Sequence, residues 1–332
     1  MNIIYVEEEI RDYPRTQAIL ARFPHATVIP IERYGEVFNR RAQSFRLQKK
    51  SPSLILAKKY GELVLPAPKG YGIGANHNYY FSHMMNCVYD CRYCFLQGMY
   101  RSAHYVVFVN FEDFFSDIRA VSEGLNSEEV HFFSGYDCDS LAYEPVTHFV
   151  EEILPLFESL PNASLELRSK STQVRGLLER EPLENVIPAF SLAPQELIES
   201  WEHKTPGLEA RLAAMQKLCN QGWKLGLRFD PVLYHPDYRT LYKKFYEQVF
   251  QTIPLKALHS VSLGPFRLPE GFYQNMTRLY PDEGLLAGPL QKTGKMVSYK
   301  QDLEEELVDY CERSLLEYIP EQVYFPCKLE AS

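Results

Sequence analysis

Three cysteines fall within eight residues, Cys87-Val-Tyr-Asp-Cys91-Arg-Tyr-Cys94, just after the strand-like run at 79–85. Three thiolates so close in sequence converge on one centre only if the chain wraps around it. The segment is therefore a metal-binding loop or a run of unrelated thiols. Zinc sites usually pair C-x2-C knuckles or add histidines to reach four ligands, and no second knuckle exists. A four-iron cluster suits three thiolates better, because its fourth iron stays open to a small molecule, as a reactive cluster requires. Seven cysteines is an odd count, and the opening MNIIYVEEEIRDY lacks the basic start and apolar run of a secretory signal. The expected compartment is the cytoplasm, where thiols stay reduced. No stretch approaches the roughly 20 apolar residues of a membrane span, so no membrane partner is expected.

From about residue 78, β-rich runs at 130–134, 164–169, 186–192, 224–230 and 259–264 alternate with helical segments that include 145–159, 207–221 and 237–252. Strands separated by helices imply parallel pairing through crossovers. The fold class expected is α/β, an incomplete parallel barrel of the TIM type with an N-terminal α/β cap. The cap takes residues 1–77, closing with the turn-rich PAPKGYGIGAN, and the barrel with a C-terminal helix takes 78–332. In such barrels the chemistry sits at the C-terminal ends of the strands. A net charge of −8 argues against coating nucleic acid by bulk attraction. Charge is segregated, however: nine basic against two acidic residues give +7 between Arg33 and Lys69, and leave −15 elsewhere.

The cysteine spacing at the mouth of such a barrel resembles the radical S-adenosylmethionine (SAM) superfamily. The surrounding CRYCFLQGMYRSAHYVVFVN, SGYDCDSLAYEPVTHFV, LELRSKS, AFSLAP and TGKMVSYKQDLEEEL, in this order, resemble the spore photoproduct lyases and their lyase-like relatives over nearly the whole chain. The resemblance implies a four-iron cluster on Cys87, Cys91 and Cys94 and SAM chelated to its open iron. One electron, from an external donor such as a flavodoxin or ferredoxin, then cleaves SAM to a 5′-deoxyadenosyl radical. It further implies that this radical splits a thymine photoproduct in DNA damaged by ultraviolet light. Carried over position by position, Tyr93 would lie against adenine and Lys170 would meet the SAM carboxylate. Ser191 would also contact SAM. Ser134 and Gly135 would offer a small segment to its amino group, where a small residue admits the main chain closely.

Two positions depart from the family pattern. The hydrogen-donor cysteine falls on Tyr136, and the tyrosine that relays the hydrogen falls on Phe95. Cys138 stands two residues on; in an extended segment that step returns to the same face about 6.5–7 Å along, so Cys138, with Tyr136, is the expected replacement relay. The same turn, with its DSLA sequence, equally resembles lyase-like relatives that lack the donor. Asp137, Asp139 and Glu166 form a second, acid/base candidate, and Cys219, Cys311 and Cys327 read as core or incidental thiols. DNA contact is expected at Arg40, Arg41 and Arg46 and at a late basic hairpin carrying Lys295 and Tyr299, where cations meet phosphate and an aromatic stacks. Two alternatives stay open: a radical SAM enzyme of the same scaffold with another substrate, and a non-catalytic, metal-stabilised nucleic-acid-binding protein.

Overall fold

The computed structural model describes residues 1–68 and 70–327; Lys69 of the basic segment lies outside the described residues. The chain opens with β1 (Ile3–Glu7), α1 (Pro14–Ala21), β2 (Thr27–Ile31), α2 (Phe45–Lys50), β3 (Leu54–Ala57) and β4 (Val64–Pro66). The cysteine region follows, with β5 (His77–Phe81), β6 (Met84–Met85), β7 (Asp90–Cys91), α3 (Leu96–Met99) and β8 (Tyr105–Phe108). Next come α4 (Phe111–Gly124), β9 (Val130–Ser134), α5 (Glu144–Thr147), α6 (Phe149–Glu158), β10 (Ala163–Ser169), α7 (Arg175–Leu178) and β11 (Val186–Ser191). After them lie α8 (Gln195–Trp201), β12 (Glu202–His203), α9 (Leu208–Gln221), β13 (Leu225–Val232), α10 (Tyr238–Thr252) and β14 (Leu258–Pro265). The chain closes with β15 (Arg267–Pro269), α11 (Glu270–Leu279), β16 (Leu290–Thr293), β17 (Met296–Tyr299), α12 (Gln301–Leu316) and β18 (Tyr324–Pro326).

Seven parallel strands in the order β18-β14-β13-β11-β10-β9-β5, with β4 antiparallel at one edge, make a curled half-barrel. Its strands are apolar runs such as VHFFS and VIPAFS, buried at every position, as expected of a parallel sheet covered on both faces. The helices supply matching stripes. In α9, Leu208, Leu212, Met215 and Leu218 are buried, and Gly222, at φ +109°, ends the helix in the left-handed conformation that favours glycine. A second sheet, β2-β1-β3-β8-β6, stands beside the barrel. The sheets do not divide at residue 77: β4 pairs into the barrel, and β6 and β8 pair into the N-terminal sheet. The cysteine loop between β6 and β8 therefore leaves the N-terminal sheet and returns to it.

Inside the half-barrel, β10 turns Leu165 and Leu167 to the core, while its Glu166 meets Arg228 of β13 at 2.7 Å, both fully buried. Arg228 also donates to the Ser260 hydroxyl at 2.9 Å. Breaking such a pair leaves one buried charge without a partner, so Arg228→Met should cost about 3–5 kcal/mol, read as a lower denaturant midpoint. A midpoint equal to wild type would show that the pair does not hold the sheet.

Candidate active site

The loop is fixed from several sides. Asn86, at φ +67°, starts it, and its side-chain amide donates to the carbonyls of Ser102 (2.8 Å) and His104 (2.7 Å). Buried Lys49 of α2 donates its ammonium to the Cys87 carbonyl (3.2 Å) and the Tyr89 carbonyl (3.0 Å). On the other flank β7 pairs with β12, Cys91 opposite Glu202, and Arg92 N–H donates to the Trp201 carbonyl at 2.7 Å. Lys49, one of the nine basic residues between Arg33 and Lys69, is an internal brace of this loop.

Cys87, Cys91 and Cys94 border two cavities. The larger, of about 390 Å³, opens over the C-terminal strand ends and also takes in Ser134, Lys170 and Ser191. The smaller lies on the α2 side, against Phe45 and Lys49. Among the described residues no three His, Cys, Asp or Glu side chains close on a point that would hold one metal ion. The three thiols border one cavity, where they could hold the four-iron cluster that their spacing suggests. Burial pushes the Cys87 thiol up to about 12 and raises Cys91 and Cys94 as well, so iron displacing the proton answers the burial.

The SAM candidates gather in the larger cavity. Ser134, Lys170 and Ser191 stand at or just past the ends of β9, β10 and β11. The Ser134 hydroxyl is buried without a hydrogen-bond partner, as a group awaiting a ligand would be. Burial depresses the Lys170 ammonium, but Glu202 and Cys91 outweigh it and raise its pKa. Its Nζ lies 5.5 Å from the centre of the Tyr93 ring. Gly135 is required for a different reason from the one expected. At φ +83°, a Cβ there would stand 2.5 Å from the Ser140 hydroxyl, so the tight turn itself demands glycine.

Sequence reasoning missed two residues that hold this wall. The Tyr93 hydroxyl donates to Glu202, which pairs with Arg211, all of them buried. Arg211 in turn donates to the Ser191 carbonyl at 2.9 Å. Burial lifts the Glu202 carboxyl, but Lys170 and Arg211 outweigh it and keep its pKa below the usual value. The signal was present: Arg211 falls on the apolar stripe of α9, between Leu208 and Leu212, where a charge demands a buried partner.

Tyr136 also borders the large cavity and is 37% exposed; its ring lies 5.6 Å from Phe95 and 4.4 Å from Tyr80. The segment after β9 turns instead of extending: the Cys138 N–H returns to the Gly135 carbonyl at 3.4 Å. The two-residue, same-face expectation for Cys138 therefore fails. Cys138 still borders the cavity but is buried against the N-terminal sheet, with Ile4, Leu56 and Met84. The carboxylates are occupied elsewhere. Asp139 accepts from Leu141 N–H, Ala142 N–H, Ser169 hydroxyl and Lys170 N–H at 2.6–3.0 Å, stapling two strand ends together. Asp137 accepts from the Tyr100 hydroxyl at 3.2 Å, and Glu166 is spent on Arg228. Cys327, taken for incidental, borders the main cavity; Cys311 is core.

Lys295 is exposed at the tip of the β16–β17 hairpin, next to Met296, which lines the main cavity. Tyr299 is not available for stacking: it is 1% exposed, and its hydroxyl accepts the Tyr234 N–H at 2.9 Å. Its position at the end of β17 points it into the core. Arg40, Arg41 and Arg46 are exposed, and none of them borders the main cavity.

The family model described as spore photoproduct lyase matches residues 1–270. The chain belongs to the spore photoproduct lyase family. Its members are radical SAM lyases, and the cofactors are a 4Fe–4S cluster and SAM. The spore photoproduct lyase of Bacillus subtilis is 21% identical over 267 residues, 78% of this chain and 76% of that one. That of Clostridium acetobutylicum is 22% identical, covering 75% and 72%. The match to the lyase of a Geobacillus strain, 24% identical, spans about half of each chain. A spore photoproduct lyase variant solved with bound AdoMet and dinucleoside spore photoproduct has a TM-score of 0.84 at 19% identity, over 99% of this chain and 98% of that one. A spore photoproduct lyase complexed with dinucleoside spore photoproduct scores 0.83 at 18% identity, covering 98% of each. These likenesses establish the partial-barrel fold of the radical SAM enzymes. No helix among the described residues is long and apolar enough to cross a membrane.

Proposed function

We propose that this chain splits a pyrimidine photoproduct in DNA, and that Tyr136 returns the hydrogen atom that completes repair. One observation carries the reading. A single cavity is bordered by the three cluster cysteines, by Ser134, Lys170 and Ser191, and by Tyr136. When bound, the cluster and SAM supply a 5′-deoxyadenosyl radical that takes one hydrogen from the lesion. The chain does the rest. Lys170 meets a carboxylate, the free Ser134 hydroxyl meets an ammonium, and the Glu202–Arg211 pair keeps Tyr93 and Ser191 in place. Tyr136, partly open to the cavity, offers an O–H hydrogen to the substrate radical, forming a C–H bond and leaving a phenoxyl; 5′-deoxyadenosine, which carries the hydrogen taken from the lesion, would return one hydrogen atom to it, so the hydrogen cycle needs no outside reductant. Phe95, without a hydroxyl, packs beside it and takes no part in the transfer.

A lesion flipped out of the duplex enters at the hairpin, where the exposed Lys295 reaches phosphate. An external one-electron carrier, a flavodoxin or ferredoxin in kind, reduces the cluster. The enzyme should bind a duplex holding one thymine photoproduct more tightly than the undamaged duplex, measured by titration at fixed salt. Equal affinities would favour the second reading, the same scaffold acting on another substrate, to which the unusual Tyr136 and Phe95 also point.

A further inference from the structure

We infer that the exposed face around α2 is the docking surface for an acidic one-electron carrier protein, and that it is not where DNA binds. The inference rests on the reading of the cysteine loop as a reducible cluster.

The first observation is position. The cysteines form a wall with the large cavity on one side and the small α2-side cavity on the other. Cofactor and lesion have the large cavity, and the hairpin stands at its edge. On the other side Phe45 and Lys49 of α2 line the small cavity, and one helix is about 10 Å thick. An electron arriving there has the shortest way in.

The second is charge. Arg40, Arg41, Arg46 and Lys50 are exposed, and among the described residues none has a carboxylate within 4.0 Å. Two more exposed cations join them from distant sequence. Lys204 donates to the Lys49 carbonyl at 3.2 Å, at the C-terminal end of α2, and the Arg101 N–H donates to the Asn39 side chain at 2.8 Å. The nearby carboxylates Asp90 and Glu283 are both taken by Arg92, at 2.9 and 3.3 Å. Six exposed cations without a carboxylate partner, on α2 and the segments beside it in sequence or by hydrogen bond, are unusual in a chain of net charge −8. Small, polar, charge-steered contacts are typical of transient electron-transfer complexes.

The third is separation from the substrate. None of the six borders the main cavity, so a duplex presenting its lesion there has no need of them. In the transfer itself the carrier loses one electron and the cluster gains it; no bond forms or breaks.

The test compares reconstituted wild type with the triple variant Arg41→Glu, Arg46→Glu, Lys50→Glu, matched for iron content and circular dichroism. The probes are a reduced acidic flavodoxin and dithionite. Flavodoxin affinity at low salt should fall by about tenfold or more, and cluster reduction by flavodoxin should slow in step. Reduction by dithionite and affinity for the lesion duplex should stay within about twofold. The neutral variant Arg46→Gln, Lys50→Gln should fall between the two. Unchanged flavodoxin binding and reduction in the triple variant would overturn the proposal. So would a loss of duplex affinity with flavodoxin binding intact, which would return this face to DNA. Failure of dithionite to reduce the wild type would instead count against the cluster reading itself.

Discussion

Replacing any one of Cys87, Cys91 or Cys94 with Ala should abolish reductive SAM cleavage. In the proposed site each thiolate would hold one iron, and the loop contains no spare thiol to take its place. Even an outer partner of a metal ligand is worth about 10–100-fold, so loss of a ligand itself should exceed about 100-fold in SAM cleavage. The protein should still fold. The loop is held by the Lys49 ammonium, the Asn86 amide and the β7–β12 pairing, none of which uses a cysteine side chain. The measurements are iron per chain after anaerobic reconstitution, the broad cluster absorption in the blue, and 5′-deoxyadenosine formed under dithionite. Stoichiometric zinc without iron in the wild type would sink the account in favour of a metal-stabilised binding module. Full cleavage by one variant would remove that cysteine from the ligand set.

Tyr136→Phe should leave SAM cleavage near wild type while diverting repair from clean thymine to side products. The substitution keeps the ring between Tyr80 and Phe95 and removes only the O–H hydrogen, so packing is conserved. Without a donor, the substrate radical is quenched from solvent or by added reductant. Cys138→Ala is the companion variant. Its thiol is raised well above the usual range by burial and packs with the N-terminal sheet, so this change should cost some stability and leave the product pattern clean. The opposite result, clean repair by Tyr136→Phe and side products from Cys138→Ala, would make Cys138 the donor. Clean repair by the double variant would move the role to Cys327, the remaining thiol on the cavity wall.

The cluster loop and the barrel were legible because both depend on short-range pattern. The C-x3-C-x2-C spacing is local, and strands such as VHFFS at 130–134 and VIPAFS at 186–191 appear where their composition places them. What the residues could not reveal is where the chain turns after a strand and which way a cation points. Cys138 seemed to share a face with the strand end because alternation was assumed to continue; Gly135, at φ +83°, ends it. Tyr299 sits among lysines in sequence, yet alternation in β17 buries it together with Val297, while Lys295 lies exposed in the turn before the strand. Lys49 looked like one more surface charge, and only the fold of α2 onto the cysteine loop turns its ammonium toward two carbonyls. The sheets exchange strands across residue 77 because β4 pairs forward with β5 while β8 pairs back with β3, a long-range choice that no local signal encodes.

The central claim is repair of a lesion in DNA, and it is tested most directly by incubating the dithionite-reduced, iron-reconstituted protein anaerobically with SAM and duplex DNA bearing a spore-type thymine photoproduct. The account predicts photoproduct loss matched by recovered thymine, dependent on SAM and absent from the Cys91→Ala variant. SAM cleavage with the photoproduct untouched would contradict it and assign the site to another substrate.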